Sequence, residues 1–303
     1  MDKGKKIWMN GQLVEWDDAK VHVLTHALHY GTAVFEGMRC YDAERGPAIF
    51  RLHDHMRRLI NSAKIYMMDC RYTVEDLVQA AKSTVKANGY KQCYVRPIAY
   101  CSFGEMGVNP LQNKVDVSIA CWSWGAYLGE DALKNGVRCM VSSWRKINTQ
   151  SLPPQAKSSA NYANSALAKI EALKVGYDEA LMLNESGLVV EGTGENIFQV
   201  KHGKLLTPPA SSGLLGGITR DTVIQLSHDV GVSCAEAALS REDVYTSDEL
   251  FLTGTAAELT PIREVDGRRI GDGNYPVTRK LQTAYKDAVR GKSKHSEWTD
   301  YVN

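Results

Sequence analysis

The residues best suited to covalent chemistry lie in one stretch at the middle of the chain. Lys157 follows the rigid pair Pro153-Pro154 and precedes a run of small residues that leads into the helical spacing of Leu167 and Ile170. Small neighbours make room beside a lysine that meets a flat, bulky partner, whereas a solvated lysine does not need them. Because most lysines are solvated, this stretch alone leaves both interpretations open.

Three further segments supply groups that would complement such a lysine. A turn begins at Glu191 and runs through Gly192-Thr193-Gly194, Ile218-Thr219 opens a helical pattern, and Gly254-Thr255 follows an apolar strand. An amine for an aldehyde, a carboxylate for a ring nitrogen and glycine-threonine turns for a phosphate are the groups that hold pyridoxal phosphate. The sequence therefore predicts a site for this cofactor.

Several motifs follow one another along nearly the whole chain: Trp8-Met9-Asn10-Gly11, His26 to Gly31, Val34-Phe35-Glu36-Gly37, Glu191 to Arg220, and Gly254 to Glu258. They resemble the motifs of class IV aminotransferases, which are fold-type IV pyridoxal-phosphate enzymes, and are most similar to the branched-chain amino acid type. Long motifs in the right order are far more specific than a lone glycine loop.

The resemblance implies a mixed α/β fold of the α+β type in two domains. A smaller N-terminal α+β domain precedes a larger C-terminal domain that has a β-barrel-like sheet and helices. The length of 303 residues also favours two domains. We expect residues 1–123 to form the first domain, 124–136 the connection, where the periodicity fails, and 137–303 the second domain.

The cofactor residues that the resemblance implies are Arg58, Lys157, Tyr162, Glu191, Gly194, Ile218, Thr219 and Thr255. Lys157 would be the catalytic residue, forming a Schiff base with the cofactor and moving the proton. Both tasks require a neutral amine, which burial and the nearby cationic imine would favour. Glu191 would keep the pyridine nitrogen protonated, Tyr162 would bind the phenolic oxygen, and Arg58 would bind the phosphate.

The substrate residues that the resemblance implies are Tyr30, Phe35, Gly37, Tyr94, Arg96, Val108, Tyr127, Thr255 and Ala256. Arg96 lies two positions after Tyr94, so both side chains leave the same face of a strand. Arg96 would accept the glutamate carboxylate, and a structural ion pair is its alternative. Tyr30 and Val108 would reach across a dimer interface.

The activity that these residues imply is transamination between branched-chain L-amino acids (leucine, isoleucine and valine) and 2-oxoglutarate. D-amino acid aminotransferase and aminodeoxychorismate lyase share the fold and are the nearest alternatives. A non-catalytic binding module is an alternative of another class, although retention of Lys157, Glu191 and Arg58 argues against it. The sequence leaves the preference among leucine, isoleucine, valine and aromatic donors open.

Composition argues against nucleic-acid and membrane partners, whereas the resemblance implies small-molecule amino acids and 2-oxo acids as partners. A net charge of +1, with basic and acidic residues mixed, argues against nucleic acid, and no apolar run is long enough to span a membrane. The seven cysteines lack metal or redox spacing, which favours a reducing, cytoplasmic location. No ligand pattern supports a metal at the histidines. We expect a homodimer or a trimer of dimers.

Local patterns predict most elements. Asn10-Gly11 indicates a hairpin, apolar spacing predicts helices over 56–63, 77–85, 160–174 and 277–289, and residues 33–41 read as one strand. Gly46-Pro47 is expected to be a turn. Arg58, like its neighbour Arg57, is expected on a solvated helix face if the family is disregarded, and the tail after Gly291 is expected to pack loosely.

Overall fold

The computed structural model describes residues 3–125 and 128–303. Tyr127, predicted to line the substrate pocket, lies outside the described residues. The chain forms two compact units, of which one comprises Met1–Trp124, Ala156–Ala160 and Asp287–Asn303, and the other Gly125–Gln155 and Asn161–Lys286. The domain boundaries predicted from the sequence stay a prediction.

The helices of the described residues are α1 (His26–Tyr30), α2 (Leu52–Ile65), α3 (Val74–Asn88), α4 (Glu130–Asn135), α5 (Ser159–Lys174), α6 (Ile218–Asp229), α7 (Arg241–Tyr245) and α8 (Pro276–Ala288). Short 3-10 turns occupy Trp16–Asp18, Ala210–Ser212 and Ser296–Trp298. None of the described helices is long and apolar enough to cross a membrane.

The strands are β1 (Lys6–Met9), β2 (Gln12–Glu15), β3 (Ala33–Phe35), β4 (Met38–Ala43), β5 (Gly46–Phe50), β6 (Cys93–Cys101), β7 (Val115–Trp122), β8 (Val137–Val141), β9 (Glu179–Leu183), β10 (Val189–Glu191), β11 (Asn196–Lys201), β12 (Lys204–Thr207), β13 (Cys234–Glu236), β14 (Glu249–Gly254), β15 (Glu258–Val265), β16 (Arg268–Arg269) and β17 (Thr299–Tyr301). The predicted hairpin is confirmed, because β1 pairs with β2 across Asn10 and Gly11, both at positive φ.

The first unit is a sheet in the order β17-β5-β4-β6-β7-β1-β2, with β3 also paired to β6. Helices α2 and α3 bury Met56, Leu59 and Leu77 in one core with Val95 of β6. Because side chains alternate along a strand, Val95 faces this core while Tyr94 and Arg96 leave the opposite face. That opposite face carries the candidate site.

The predicted continuous strand over residues 33–41 is wrong, because the segment forms two strands, β3 and β4, with a break in the strand between them. At the break, the Glu36 amide donates to Pro97 O (2.9 Å). A Cβ at Gly37 would lie 1.8 Å from Tyr94 Oη, so only glycine fits there. The break therefore brings Gly37 against Tyr94, while Phe35 stays paired with Ile98 of β6.

The second unit closes a ring of strands. The order β10-β9-β8-β15-β14-β11 returns to its start because β10 also pairs with β11, while β12, β13 and β16 extend outside this ring. Buried Leu181, Ile197, Leu250 and Leu252 belong to one core cluster. Closure removes the unpaired edges that an open sheet would expose. The predicted barrel-like sheet is confirmed.

Residues 130–135, within the predicted connection, form α4. Two local predictions are wrong, the first because Gly46-Pro47 belong to β5 instead of a turn. The tail after Gly291 is not loose, because β17 pairs with β5 and Trp298 is buried. A single apolar residue such as Trp298 creates no periodic pattern in the sequence. Its burial can therefore be seen only in the folded structure.

Candidate functional site

Lys157 is held by its backbone between two elements of the first unit. Its amide donates to Ser62 Oγ of α2 (3.1 Å), and its carbonyl accepts from the Phe35 amide (3.0 Å). The adjacent Ser158 forms a β-bridge with Val34. The side chain reaches over the Phe35 ring, with Nζ 5.1 Å from the ring centroid. The small residues after Lys157 thus allow the close approach of β3.

Arg58 lies on α2 beside Lys157, and its pairing was missed by sequence reasoning. Its Nε donates to Glu36 Oε1 (2.5 Å) and its Nη2 donates to Glu36 Oε2 (2.8 Å). His55 Nδ1 lies 2.7 Å from the same Oε2. Only 16% of the Arg58 side chain is exposed, so the solvated-face expectation for it is wrong, whereas Arg57 is 62% exposed.

The Lys157 amine is prepared to lose its proton near neutral pH. Burial of the ammonium group, followed by the positive charge of Arg58, lowers the pKa of Lys157 to about 8, although Glu36 acts in the opposite direction. A solvated lysine would be almost fully protonated at that pH. Lys157 therefore loses its proton at a lower pH than a surface lysine does.

Arg96 lies in an aromatic enclosure on the site face of β6. Its Cζ is 5.0 Å from the Phe35 ring centroid, 5.2 Å from that of Tyr94 and 5.9 Å from that of Trp122. Nη2 donates to Tyr94 Oη (3.3 Å), and the buried Nε has no hydrogen-bond partner among the described residues. Within the same part of the chain no carboxylate forms an ion pair with Arg96, which removes the predicted structural alternative.

Two predicted substrate residues are on the surface of the first unit. Tyr30 is 41% exposed at the end of α1, and Val108 is 84% exposed in the loop after β6. The two segments lie together, because His26 Nε2 contacts Gly107 O (2.6 Å) and Thr25 forms a β-bridge with Phe103. The fold therefore presents them as one surface and does not place them in a buried pocket wall.

Glu191 is buried at the end of β10, and three groups of the second unit hold its carboxylate. Lys146 Nζ lies 2.6 Å from Oε1, while Asn196 Nδ2 and the Leu215 amide each donate to Oε2 (3.2 Å). Lys146 was missed because a lone lysine in a loop carries no sequence pattern.

The beginning of α6 is built as an anion site. Gly217 is its N-cap and no side chain caps the helix, so the amides that follow, at Ile218 and Thr219, are available to a ligand. A Cβ at Gly217 would lie 1.9 Å from Asn196 Oδ1, which ties this turn to the Glu191 network. Glycine is required for the two turns to meet.

The remaining predicted site residues of the second unit are partly buried or exposed. Tyr162 is partly buried on α5, and Thr255 and Ala256 are partly buried in the turn between β14 and β15. Gly194 is exposed, but its amide already donates to Glu195 Oε2 (3.1 Å). Gly194 thus has an internal partner that the sequence did not suggest.

Comparison with known proteins establishes the family. The model of the class IV aminotransferase family matches residues 33–265. This chain belongs to that family. It is 46% identical to the branched-chain-amino-acid aminotransferase of Escherichia coli (strain K12), over 99% of this chain and 98% of that protein, and 47% identical to that of Pseudomonas aeruginosa over the same shares.

Solved structures agree. The crystal structure of the Escherichia coli branched-chain amino acid aminotransferase has a TM-score of 0.97 and 46% identity, covering 99% of this chain and 100% of that one. The enzyme from Thermobaculum terrenum, solved in its PLP-form, has a TM-score of 0.94 and 38% identity, with both chains fully covered. The predicted family and fold are confirmed.

The residues present fit the cofactor predicted from the sequence. The first unit offers an amine of lowered pKa beside a guanidinium, in Lys157 and Arg58. The second unit offers a buried carboxylate, Glu191, and the uncapped beginning of α6. Amine, carboxylate and anion site match the aldehyde, ring nitrogen and phosphate of pyridoxal phosphate.

Proposed function

We propose that this chain transfers amino groups between leucine, isoleucine or valine and 2-oxoglutarate with pyridoxal phosphate as cofactor. The relatives at 46–47% identity over nearly their full length support the reaction, and structures of relatives with pyridoxamine 5'-phosphate and in the PLP-form support the cofactor. When bound, pyridoxal phosphate supplies an aldehyde that condenses with amines and a ring that stabilises negative charge on the adjacent carbon.

Different residues of the chain would bind different parts of the cofactor. Arg58 would bind the phosphate together with the amides at Ile218 and Thr219 and the Thr255 hydroxyl. Glu191 would bind the ring nitrogen, and its carboxylate is held by Lys146 at 2.6 Å. Tyr162 would bind the phenolic oxygen, and Gly194 would line the same site.

Lys157 would move the proton between the two carbons that exchange the amino group. A base must be neutral to accept a proton and must then give it back, which works best when its pKa is near the working pH. The pKa of about 8 meets this condition. Burial and Arg58 lower the pKa and Glu36 raises it, so the charges around Lys157 set its reactivity.

The proposed reaction requires one site to bind both an apolar and an acidic substrate side chain. Arg96 would bind the acidic one. A glutamate side chain needs a cation, whereas leucine needs only apolar walls. Arg96 has a buried Nε without a partner in the described chain, among aromatic rings that suit an apolar side chain. A related branched-chain amino acid aminotransferase has been solved with N-(5'-phosphopyridoxyl)-L-glutamate and with 4-methylvaleric acid, one acidic and one apolar ligand.

Replacing Arg96 tests the proposal. We expect Arg96→Met to slow the half-reaction with glutamate or 2-oxoglutarate at least about tenfold more than the half-reaction with leucine, from a lost charged contact of ~1.4 kcal/mol. Single-turnover kinetics with each substrate measures both. Arg57→Met, which removes a cation that is 62% exposed, is the control. Equal losses with both substrates contradict dual recognition, and turnover with D-amino donors only contradicts the proposed reaction.

A homodimer, alone or as a trimer of dimers, is the proposed assembly. Tyr30, Leu28, Phe103 and Val108 expose apolar surface from two adjoining segments of the first unit. Large exposed apolar side chains that cluster favour a protein interface, and isologous dimers are the commonest arrangement. Tyr30 and Val108 would line the partner's substrate pocket.

A cytoplasmic location is also proposed. All seven cysteines are free thiols, and five of them are buried. Disulfides are rare where the compartment is reducing, so free cysteines fit such a compartment. Fractionation of cells that express the chain tests this location, and recovery in an exported fraction contradicts it.

A further inference from the structure

The motif Val34-Phe35-Glu36-Gly37 contains a carboxylate that the proposed reaction does not use. Glu36 is fully buried at the break between β3 and β4. Its oxygens accept two hydrogen bonds from Arg58, of 2.5 and 2.8 Å, and Oε2 is also 2.7 Å from His55 Nδ1. A buried carboxylate is costly unless it is paired, and Glu36 is paired on both oxygens.

The partners of Glu36 come from one face of α2. His55 and Arg58 are three positions apart, and Ser62 follows one turn later, so all three leave the same side of the helix. Ser62 Oγ accepts from the backbone amide of Lys157. A single helix face therefore holds the predicted phosphate arginine, its carboxylate and the backbone of the catalytic lysine.

The charges of Glu36 and Arg58 define the role of His55. Burial lowers the pKa of His55, Glu36 acts in the opposite direction, and the positive charges of Arg58 and Lys157 add to the lowering. Because a carboxylate oxygen accepts, the Nδ1–H of His55 donates to Glu36. Burial raises the pKa of Glu36, but Arg58 and His55 together lower it well below the usual range. Tyr94 and Arg96 also face Lys157. Glu36 is thus a permanent anion beside Arg58.

Arg58 gains a fixed orientation from this pairing. A guanidinium on a long side chain has many rotamers, and a two-point contact with a carboxylate fixes its plane. A side chain that is already ordered loses less entropy when it binds a ligand. The 2.5 and 2.8 Å contacts fix the Nε–Nη2 edge of the guanidinium against Glu36.

We propose that Glu36, held by His55, is a positioning residue that keeps Arg58 in the orientation that binds the cofactor phosphate. Glu36 acts through Arg58. The proposal rests on the phosphate role of Arg58 in the proposed function, and the two are separated by the experiment below.

The experiment compares the affinity of the cofactor-free protein for pyridoxal phosphate with its affinity for pyridoxal, which lacks the phosphate. The ratio of the two affinities isolates the phosphate contribution. We expect Glu36→Gln and Glu36→Asp each to reduce this ratio about tenfold, because ordering a long side chain anew has a cost of that size. Aspartate keeps the charge but is one methylene too short to hold both guanidinium nitrogens.

Two further variants complete the design. His55→Phe keeps a ring in place and removes one hydrogen bond to Glu36, and we expect a loss of about two- to threefold. Asp54→Asn is the matched control, because Asp54 lies on the same helix and pairs with Arg51 at 2.5 Å but is 34% exposed. It should leave the ratio unchanged. Far-UV circular dichroism confirms that each variant is folded.

The outcomes distinguish the two claims. An unchanged ratio in Arg58→Met overturns the phosphate role of Arg58 and this proposal with it. A reduced ratio in Arg58→Met together with an unchanged ratio in Glu36→Asp overturns the positioning role alone. An increased ratio of the two affinities in Glu36→Gln means that Glu36 only repels the phosphate. That result also overturns the positioning role. In the Arg58→Met background, Glu36→Gln should cause no further loss.

Discussion

At the scale of single residues, burial decides which ionisable groups can act near neutral pH. Lys157 and Glu195 both have a pKa of about 8, reached from opposite directions. Burial disfavours a charge of either sign, so it lowers the pKa of the amine and raises that of the carboxyl. For Glu195 the negative charge of Glu179 adds to this effect. Glu179 in turn pairs with Lys169 at 2.7 Å.

Glu195 makes the stability of the protein depend on pH. The pKa of Glu195 is raised from an ordinary 4.5 to about 8, so between these values the folded chain keeps a proton that the unfolded chain releases. The free energy of unfolding therefore falls as pH rises from about 4.5 to about 8. Glu195→Gln should remove part of that fall, ~1–3 kcal/mol between pH 5 and pH 8.5.

Urea unfolding of the cofactor-free protein at the two pH values measures this effect. Glu185→Gln is the control, because Glu185 is exposed in the turn before β10. Its pH dependence should match that of the unmodified chain. A Glu195→Gln protein that loses as much stability with rising pH as the unmodified chain contradicts the assignment.

At the scale of elements, the last strand extends the first sheet, and a large aromatic side chain just before it is buried. β17 pairs with β5, and the buried Trp298 that precedes it meets Phe50 edge-on, with ring centroids 6.0 Å apart. Trp298 also stacks on His295 at 3.8 Å, and its carbonyl accepts from the Arg51 amide (2.7 Å). The C-terminal segment is therefore part of the core of this unit.

Trp298→Ala tests this packing. We expect the free energy of unfolding to fall by about 3–5 kcal/mol, because a large buried aromatic is lost and a cavity is left. Urea unfolding followed by circular dichroism measures the change. Trp144→Ala is the control, since Trp144 is 45% exposed and should cost less than about 1 kcal/mol. Equal effects at the two tryptophans would show that Trp298 does not anchor the sheet.

At the scale of the whole molecule, the proposed homodimer would account for predicted pocket residues that lie on the surface of the chain. Tyr30 and Val108 are exposed, although the family resemblance assigns both to substrate binding. An isologous interface would bring each of them to the partner's site. In the proposed homodimer, exposure of both residues is compatible with a role in substrate binding.

Mixing two inactive proteins tests shared sites. Lys157→Ala lacks the proposed catalytic amine, and Tyr30→Ala lacks the residue that is proposed to reach the partner's site. In a mixed dimer one site receives both intact residues, so random mixing should give about a quarter of the wild-type activity. Activity after subunit exchange, compared with each variant alone, measures this. Mixtures no more active than their components contradict sharing, as does a fully active Tyr30→Ala protein.

The sequence by itself determined the family, the cofactor chemistry and most regular elements of this protein. Periodicity predicted α2, α3, α5 and α8, because apolar spacing is a local property of the chain. Asn10-Gly11 predicted its hairpin for the same reason. Lys157, Glu191 and Arg58 were predicted from motifs, since their residue types and order carry the chemistry.

Only the tertiary structure decided what surrounds these residues. Glu36, His55 and Lys146 became visible because folding brings charges together that are far apart in the chain, and no local pattern encodes such a pairing. The absence of an ion pair at Arg96, in the part of the chain that the structure describes, was likewise open until Phe35 and Trp122 were placed around it. Residue type and spacing are properties of the chain, whereas burial, pairing and pKa arise from contacts that form only on folding.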